Sequence, residues 1–470
     1  MERNVAALVL AAGKGTRMKS ALPKVLHPAC GKPLVAWPIE AALAAGAAPV
    51  VVVVGHGGDV VEQVVRRRFT NGVRAARQLA QLGTGHAAQV GLEALGDWSG
   101  TVLIVYGDCP LLTTEHLAAL VELRQRTAAP LALWTTQVDD PRGYGRVLRG
   151  ADGLPERIVE EKDATPEQRR INEINPGVYA ADAAWLRQAL GRLTPANAQG
   201  ELYLTDLVAA ARADGRGVPT LDVDAGETHG VNDRAQLAAA AAVLQQRVVR
   251  RAQLDGVTFV LPSSVVVDAE VRFGVDVTVG PHVQLTGATD VRDEVVIGAG
   301  CVLHDTTVAA GTIVHPYSVC DGARVGKGCT IGPFARLRPG AVLDEGAHVG
   351  NFVEMKKARL GKGSKANHLT YLGDADVGAG ANIGAGTNTC NYDGVGKHQT
   401  TIGDGVFIGS NATLVAPVTI AKGGYVAAGS TITANVPEDA LAIGRGRQEN
   451  KPGYAAGLRA RNAERAKKLP

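Results

Sequence analysis

Three groups of residues in this chain have types and spacings suited to chemistry. The first is Leu8-Val9-Leu10-Ala11-Ala12-Gly13-Lys14-Gly15-Thr16-Arg17-Met18, followed by Leu22-Pro23-Lys24, which sets a glycine-rich turn and several cations where an uncharged run ends. Glycines there let the backbone approach a ligand and aim N–H groups at anionic oxygens. Arg17 and Lys24 can neutralise the charge such a ligand brings, so the expected chemistry is the holding of a polyphosphate. The spacing is neither the Walker loop nor the dinucleotide fingerprint, whose third glycine is Arg17 here. The second group is Tyr106-Gly107-Asp108, again at the end of an apolar run; its carboxylate reads as a helix cap or as a ligand for a cation that bridges phosphates. The third group surrounds His368, with Tyr371 and the cations Arg338, Lys356 and Lys365 nearby in sequence. It reads either as a buried, satisfied imidazole or as a base beside a phosphate-bearing substrate.

The elements that must position these groups fall into two textures. Up to about residue 228, strand-like runs such as Val50–Val54, Val102–Tyr106 and Leu131–Thr135 alternate with helical periodicity at 35–45 and 115–125. That alternation predicts a Rossmann-like α/β domain with a parallel sheet covered on both faces, ligands binding where the strands end. Residues 233–254, rich in alanine, leucine, glutamine and arginine, predict a long linker helix. Beyond it an aliphatic–glycine pair recurs, as in Ile297-Gly298, Val325-Gly326, Ile331-Gly332, Val377-Gly378, Ile383-Gly384, Ile402-Gly403 and Ile408-Gly409, several of them six residues apart. A hexad period is too short for helical repeats and predicts a β-helix whose aliphatic side chains stack inside. The expected division is 1–232, 233–254 and 255–470.

A chain of 470 residues has room for two or three domains, and a formal charge of +3 calls for neither nucleic acid nor an anionic membrane. The six cysteines form no CxxC pair, so neither a zinc site nor a disulfide framework is indicated. The start lacks the pattern of a secretory leader and no apolar run has the length of a bilayer span, so a cytoplasmic location is expected. The basic tail from Lys451 to Pro470 is expected to be solvated.

The repeat resembles the left-handed parallel β-helix of hexapeptide-repeat acyltransferases, a class that generally trimerises. The first half is similar to the sugar-1-phosphate nucleotidylyltransferases, on the opening motif, Gln81-Leu82-Gly83-Thr84-Gly85-His86-Ala87, Tyr106-Gly107-Asp108, Gly143-Tyr144-Gly145-Arg146, Val159-Glu160, Glu173-Ile174-Asn175 and Gly230-Val231-Asn232. Gly332-Pro333-Phe334-Ala335-Arg336-Leu337-Arg338-Pro339-Gly340 and Cys390-Asn391-Tyr392-Asp393-Gly394 extend the likeness across nearly the whole chain. It resembles the family of bifunctional N-acetylglucosamine-1-phosphate uridylyltransferases and glucosamine-1-phosphate N-acetyltransferases, which make a precursor of cell-wall polymers.

For the first half the resemblance implies a UDP-N-acetylglucosamine site. Leu10, Ala11, Ala12, Gly13 and Lys24 would hold phosphates, with Arg17 and Lys24 catalytic. Gln78, Gly83 and Thr84 would read uracil, while Tyr106 and Gly107 would line the site. Gly145, Glu160 and Asn175 would bind the sugar, and Asp108 and Asn232 would ligate Mg²⁺. For the second half it implies that Arg338, Lys356, Tyr371 and Asn382 bind the amino-sugar phosphate. His368 would take a proton from the attacking amine, with Glu354 orienting or charge-balancing it. Ala385, Asn391, Tyr392, Ser410, Ala428 and Arg445 would line the acetyl-CoA side. Expected small-molecule partners are UTP, N-acetylglucosamine 1-phosphate, glucosamine 1-phosphate and acetyl-CoA, and the expected assembly is a homotrimer. The alternative is a single nucleotidylyltransferase activity with the β-helix as a structural or regulatory platform.

Overall fold

A computed structural model describes residues 4–467; Met1–Arg3 of the start and Lys468–Pro470 of the tail lie outside the described residues. The chain divides into two compact units, one formed by residues 1–251 with 267–269, the other by 252–266 with 270–470.

The first unit begins with β1 (Val5–Ala11), buried along its whole length. Then follow α1 (Ala36–Ala44), β2 (Val50–Val54), α2 (Gly58–Arg68), β3 (Val73–Arg77), α3 (Thr84–Leu95), β4 (Thr101–Tyr106) and α4 (Thr114–Thr127). Strands β3, β2, β1 and β4 lie side by side and parallel, as alternating helices require. Two apolar clusters cover the sheet. One holds Ile39, Val61 and Leu117 from α1, α2 and α4, and the other holds Leu92 from α3.

The expected purely parallel sheet gives way to a mixed one after β5 (Leu131–Gln137). Between there and residue 182 the chain forms β6 (Gly145–Arg149), β7 (Pro155–Val159), β8 (Glu173–Asn175) and β9 (Tyr179–Asp182) without any α-helix. A chain that returns without a crossover must pair antiparallel, and β9 does so, inserted between β4 and β5. Asp182 then caps α5 (Ala183–Leu190), its carboxylate accepting from Ala184 N and Trp185 N at 3.1 and 3.0 Å. After α6 (Leu207–Ala213), β10 (Thr220–Asp222) pairs parallel with β5.

The long helix is α7 (Arg234–Leu254). Up to Arg251 it belongs to the first unit, because Ala240 and Leu244 are buried against Leu34, Leu111 and Val231.

In the second unit three parallel sheets of eleven, ten and nine short strands run the length of the repeat. Ile297 pairs with Val314, Val314 with Ile331 and Ile331 with Val349, so each coil takes 17 or 18 residues, three hexads. This is the architecture of a left-handed β-helix of hexapeptide repeats. The aliphatic member of every quoted pair is buried, and these side chains stack into one continuous core. One coil is longer: Ile383 pairs with Ile408, because an excursion around residues 391–399 is inserted. The tail folds into an exposed helix, Tyr454–Lys467, with no buried residue.

Candidate functional sites

In the first unit the glycine-rich turn leaves the carboxyl end of β1. Gly15 takes a left-handed conformation (φ 60°), and a Cβ there would lie 2.5 Å from Lys24 Cβ, so this glycine lets the turn fold over the lysine. Lys24 Nζ donates to both the Asp108 carboxylate and Asn232 Oδ1, the latter at 3.1 Å. Asp108 follows β4 and Asn232 precedes α7; Val231 N donates to Asp108 O at 2.9 Å and binds the two turns together. Two hard oxygen donors thus converge on one cationic atom, a donor set that fits a small divalent cation. Arg17 is exposed.

The residues expected to read a base are gathered at the start of α3. Gln78 Nε2 donates to Gly83 O at 3.1 Å and lies 3.1 Å from His86 Nδ1, while Thr84 Oγ1 accepts from Leu204 N at 3.0 Å. Gly83 has φ 108°, and a Cβ on it would approach Leu202 O to 2.5 Å. Gln78 also lines a cavity of about 620 Å³ with Lys14, Gly55, His56, Arg77 and Gln81. Gln81, which opens the motif quoted for this stretch without a role of its own, donates from Nε2 to Ala12 O at 2.9 Å and pins the phosphate-side loop.

The expected sugar residues sit on the antiparallel half of the sheet. Glu160 Oε1 accepts from Thr205 Oγ1 at 3.0 Å; burial, its largest influence, pushes its carboxyl above the usual range. Asn175 bonds the Tyr179 hydroxyl and accepts from Gly177 N at 3.1 Å, and a Cβ at Gly177 would clash with the Tyr106 ring. Burial raises the Tyr106 phenol as well, keeping it neutral.

In the second unit His368 is exposed, which removes the buried-imidazole reading. Its Nδ1 lies 3.0 Å from Asn351 Oδ1, so Asn351 orients the ring. Glu354, expected in that role, instead holds Arg338 Nη1 at 2.8 Å. Register explains the difference: Asn351 pairs with His368 on one sheet, whereas Glu354 pairs with Tyr371 on another. Tyr371 and Lys356 belong to the ten-stranded sheet, and Arg338 follows its strand Arg336–Leu337. Asn382 lies apart from them on the eleven-stranded sheet, between Lys365 and Phe407.

Along the edge where His368 sits, successive coils stack the expected acetyl-CoA residues. Asn411 N donates to Ala385 O at 2.7 Å, Gly429 N to Ser410 O at 2.8 Å and Arg445 Nη1 to Ala428 O at 2.8 Å. Asn391 bonds the Asp374 carboxylate, and Lys397 Nζ lies 4.7 Å from the centroid of the Tyr392 ring. Asn351 and Asp374 each precede their partner by 17 residues, one coil, and the coil period was the signal that could have found them.

Residues 7–255 match the MobA-like NTP transferase domain family, and residues 399–434 match the bacterial transferase hexapeptide (six repeats) family. The chain is 51% identical over 466 residues to the bifunctional protein GlmU of Sorangium cellulosum, covering 98% of each chain. It is 49% identical over 448 residues to that of Acinetobacter baumannii, covering 95% of this chain and 97% of the relative. The chain belongs to the GlmU family. It is a bifunctional acetyltransferase and uridylyltransferase that makes UDP-N-acetylglucosamine, so the reading with a single activity is set aside.

Proposed function

We propose that the two activities use separate sites, one in each compact unit. The observation that carries this reading is the pair of constellations: Lys24, Asp108 and Asn232 converge in the first unit, while His368, held by Asn351, lies on an edge of the β-helix in the second. In the β-helix, the neutral His368 ring takes a proton from the amine of glucosamine 1-phosphate as it attacks acetyl-CoA, since only the unprotonated amine is a nucleophile. Arg338 and Lys356 hold the sugar phosphate, Tyr371 and Asn382 the sugar. The column Ala385, Ser410, Ala428 and Arg445, with Asn391 and Tyr392, takes acetyl-CoA.

In the first unit, the Gly13–Gly15 turn, Arg17 and Lys24 bind the triphosphate of UTP. Gln78, Gly83 and Thr84 hold uracil, and Gly145, Glu160 and Asn175 hold N-acetylglucosamine 1-phosphate. Its phosphate oxygen attacks the α-phosphorus and pyrophosphate leaves, with the cations offsetting charge as it develops. Asp108 and Asn232 would hold Mg²⁺, which supplies charge neutralisation at the phosphates when bound.

Asn382 lies on a different sheet from Tyr371, and this supports an acetyl-transfer site completed by a second copy of the chain, in a homotrimer. The substrates are phosphorylated metabolites and a thioester of the cell interior, and we place the protein in the cytoplasm. No helix among the described residues is long and apolar enough to cross a membrane.

A mutant pair tests the reading. His368→Ala should abolish thiol release from acetyl-CoA with glucosamine 1-phosphate and spare pyrophosphate release from UTP; Asp108→Ala should do the reverse. Loss of both activities in either variant would sink it.

A further inference from the structure

Arg146, on β6, is 1% exposed, and a guanidinium taken out of water costs several kcal/mol unless its partners compensate. The sheet does not call for it, because its cross-strand neighbours are Val159 and Ile174, beside which an aliphatic side chain would fit. Its partners connect two turns instead. Nη2 is 2.5 Å from Glu161 Oε2, and Nη1 donates to Tyr144 O. Glu161 also accepts from Gly143 N at 3.4 Å, so one carboxylate grips both ends of the loop before β6.

We propose that Arg146 is a positioning residue for uridylyl transfer. It braces the 141–145 loop against the Glu160–Glu161 turn, and so fixes the acceptor-sugar end of the site. The proposal rests on the assignment of Gly145, Glu160, Asp108 and Asn232 given above. Nothing in the brace touches the residues assigned to uracil, and this makes it separable from a general role in stability.

Glu161→Gln weakens the strut with little change of shape, and Glu161→Ala removes it. In the full-length protein, each should raise the KM for N-acetylglucosamine 1-phosphate by about tenfold, the loss of one hydrogen bond. The Kd for UTP and the rate of acetyl transfer should stay at parental values. Arg146→Lys keeps the charge but loses the fork, and should cost about a hundredfold in kcat/KM. If that variant also loses UTP binding, it has misfolded and the two milder variants decide. Parental KM values in either Glu161 variant overturn the brace, as does a loss of UTP affinity in the same proportion as acceptor affinity. Asp108→Ala is the control for the underlying site. If it retains uridylyl transfer, the site assignment itself has failed; if it is inactive while the strut variants behave as the parent, only the brace has failed.

Discussion

At the scale of single residues, Gly83 tolerates no side chain without strain. Its φ of 108° and the nearness of Leu202 O make any side chain strained by about 1–3 kcal/mol. Gly83→Ala should therefore raise the KM for UTP at least tenfold while acetyl transfer is unchanged, as steady-state assays of both reactions would show. Glu160 carries a pH signature. Its folded-state pKa lies above that of the unfolded chain, so its favourable contribution is present below the unfolded value and is lost as pH rises through the folded one. In thermal unfolding followed against pH, Glu160→Gln should gain on the parent above that value and lose the advantage in acid; a pH-independent difference would contradict the assignment. Lys24, Asp108 and Asn232 could be picked out from the sequence because each closes a short motif. Gln81 and Arg146 stand inside quoted motifs and Asn351 one coil before His368, but their roles were hidden, because each acts through a partner set by the fold.

At the scale of elements, apolar periodicity gave the parallel strands and the hexads directly, since both are written in consecutive residues. The antiparallel half of the first sheet was hidden. Its order depends on β9 slipping between β4 and β5, a long-range choice that no local pattern in Tyr179–Asp182 records. In the β-helix each coil leans on the next, so a cavity in one layer should be felt along the stack. Ile331, fully buried between Val314 and Val349, is a suitable probe. Ile331→Ala should destabilise the second unit by about 2–5 kcal/mol. Denaturant titration should then show acetyl transfer lost at a lower midpoint, with uridylyl transfer holding its own.

At the scale of the whole molecule, the separation of Asn382 from Tyr371 predicts that acetyl transfer belongs to an assembly and uridylyl transfer to a single chain. Mixing inactive Tyr371→Ala chains with inactive Asn382→Ala chains, followed by subunit exchange, should restore part of the acetyl transfer. No such rescue should occur between Lys24→Ala and Asp108→Ala, whose partners lie within one unit. The bond from Lys24 to Asn232 spans 208 residues and joins the opening of the first unit to its closing helix. During synthesis the phosphate loop is therefore among the first segments made, yet it waits for almost the entire first unit to emerge before it gains its partner. A nascent chain halted short of residue 232 would carry the glycine turn without the asparagine that bonds Lys24, and on the proposed assignment should show no uridylyl transfer.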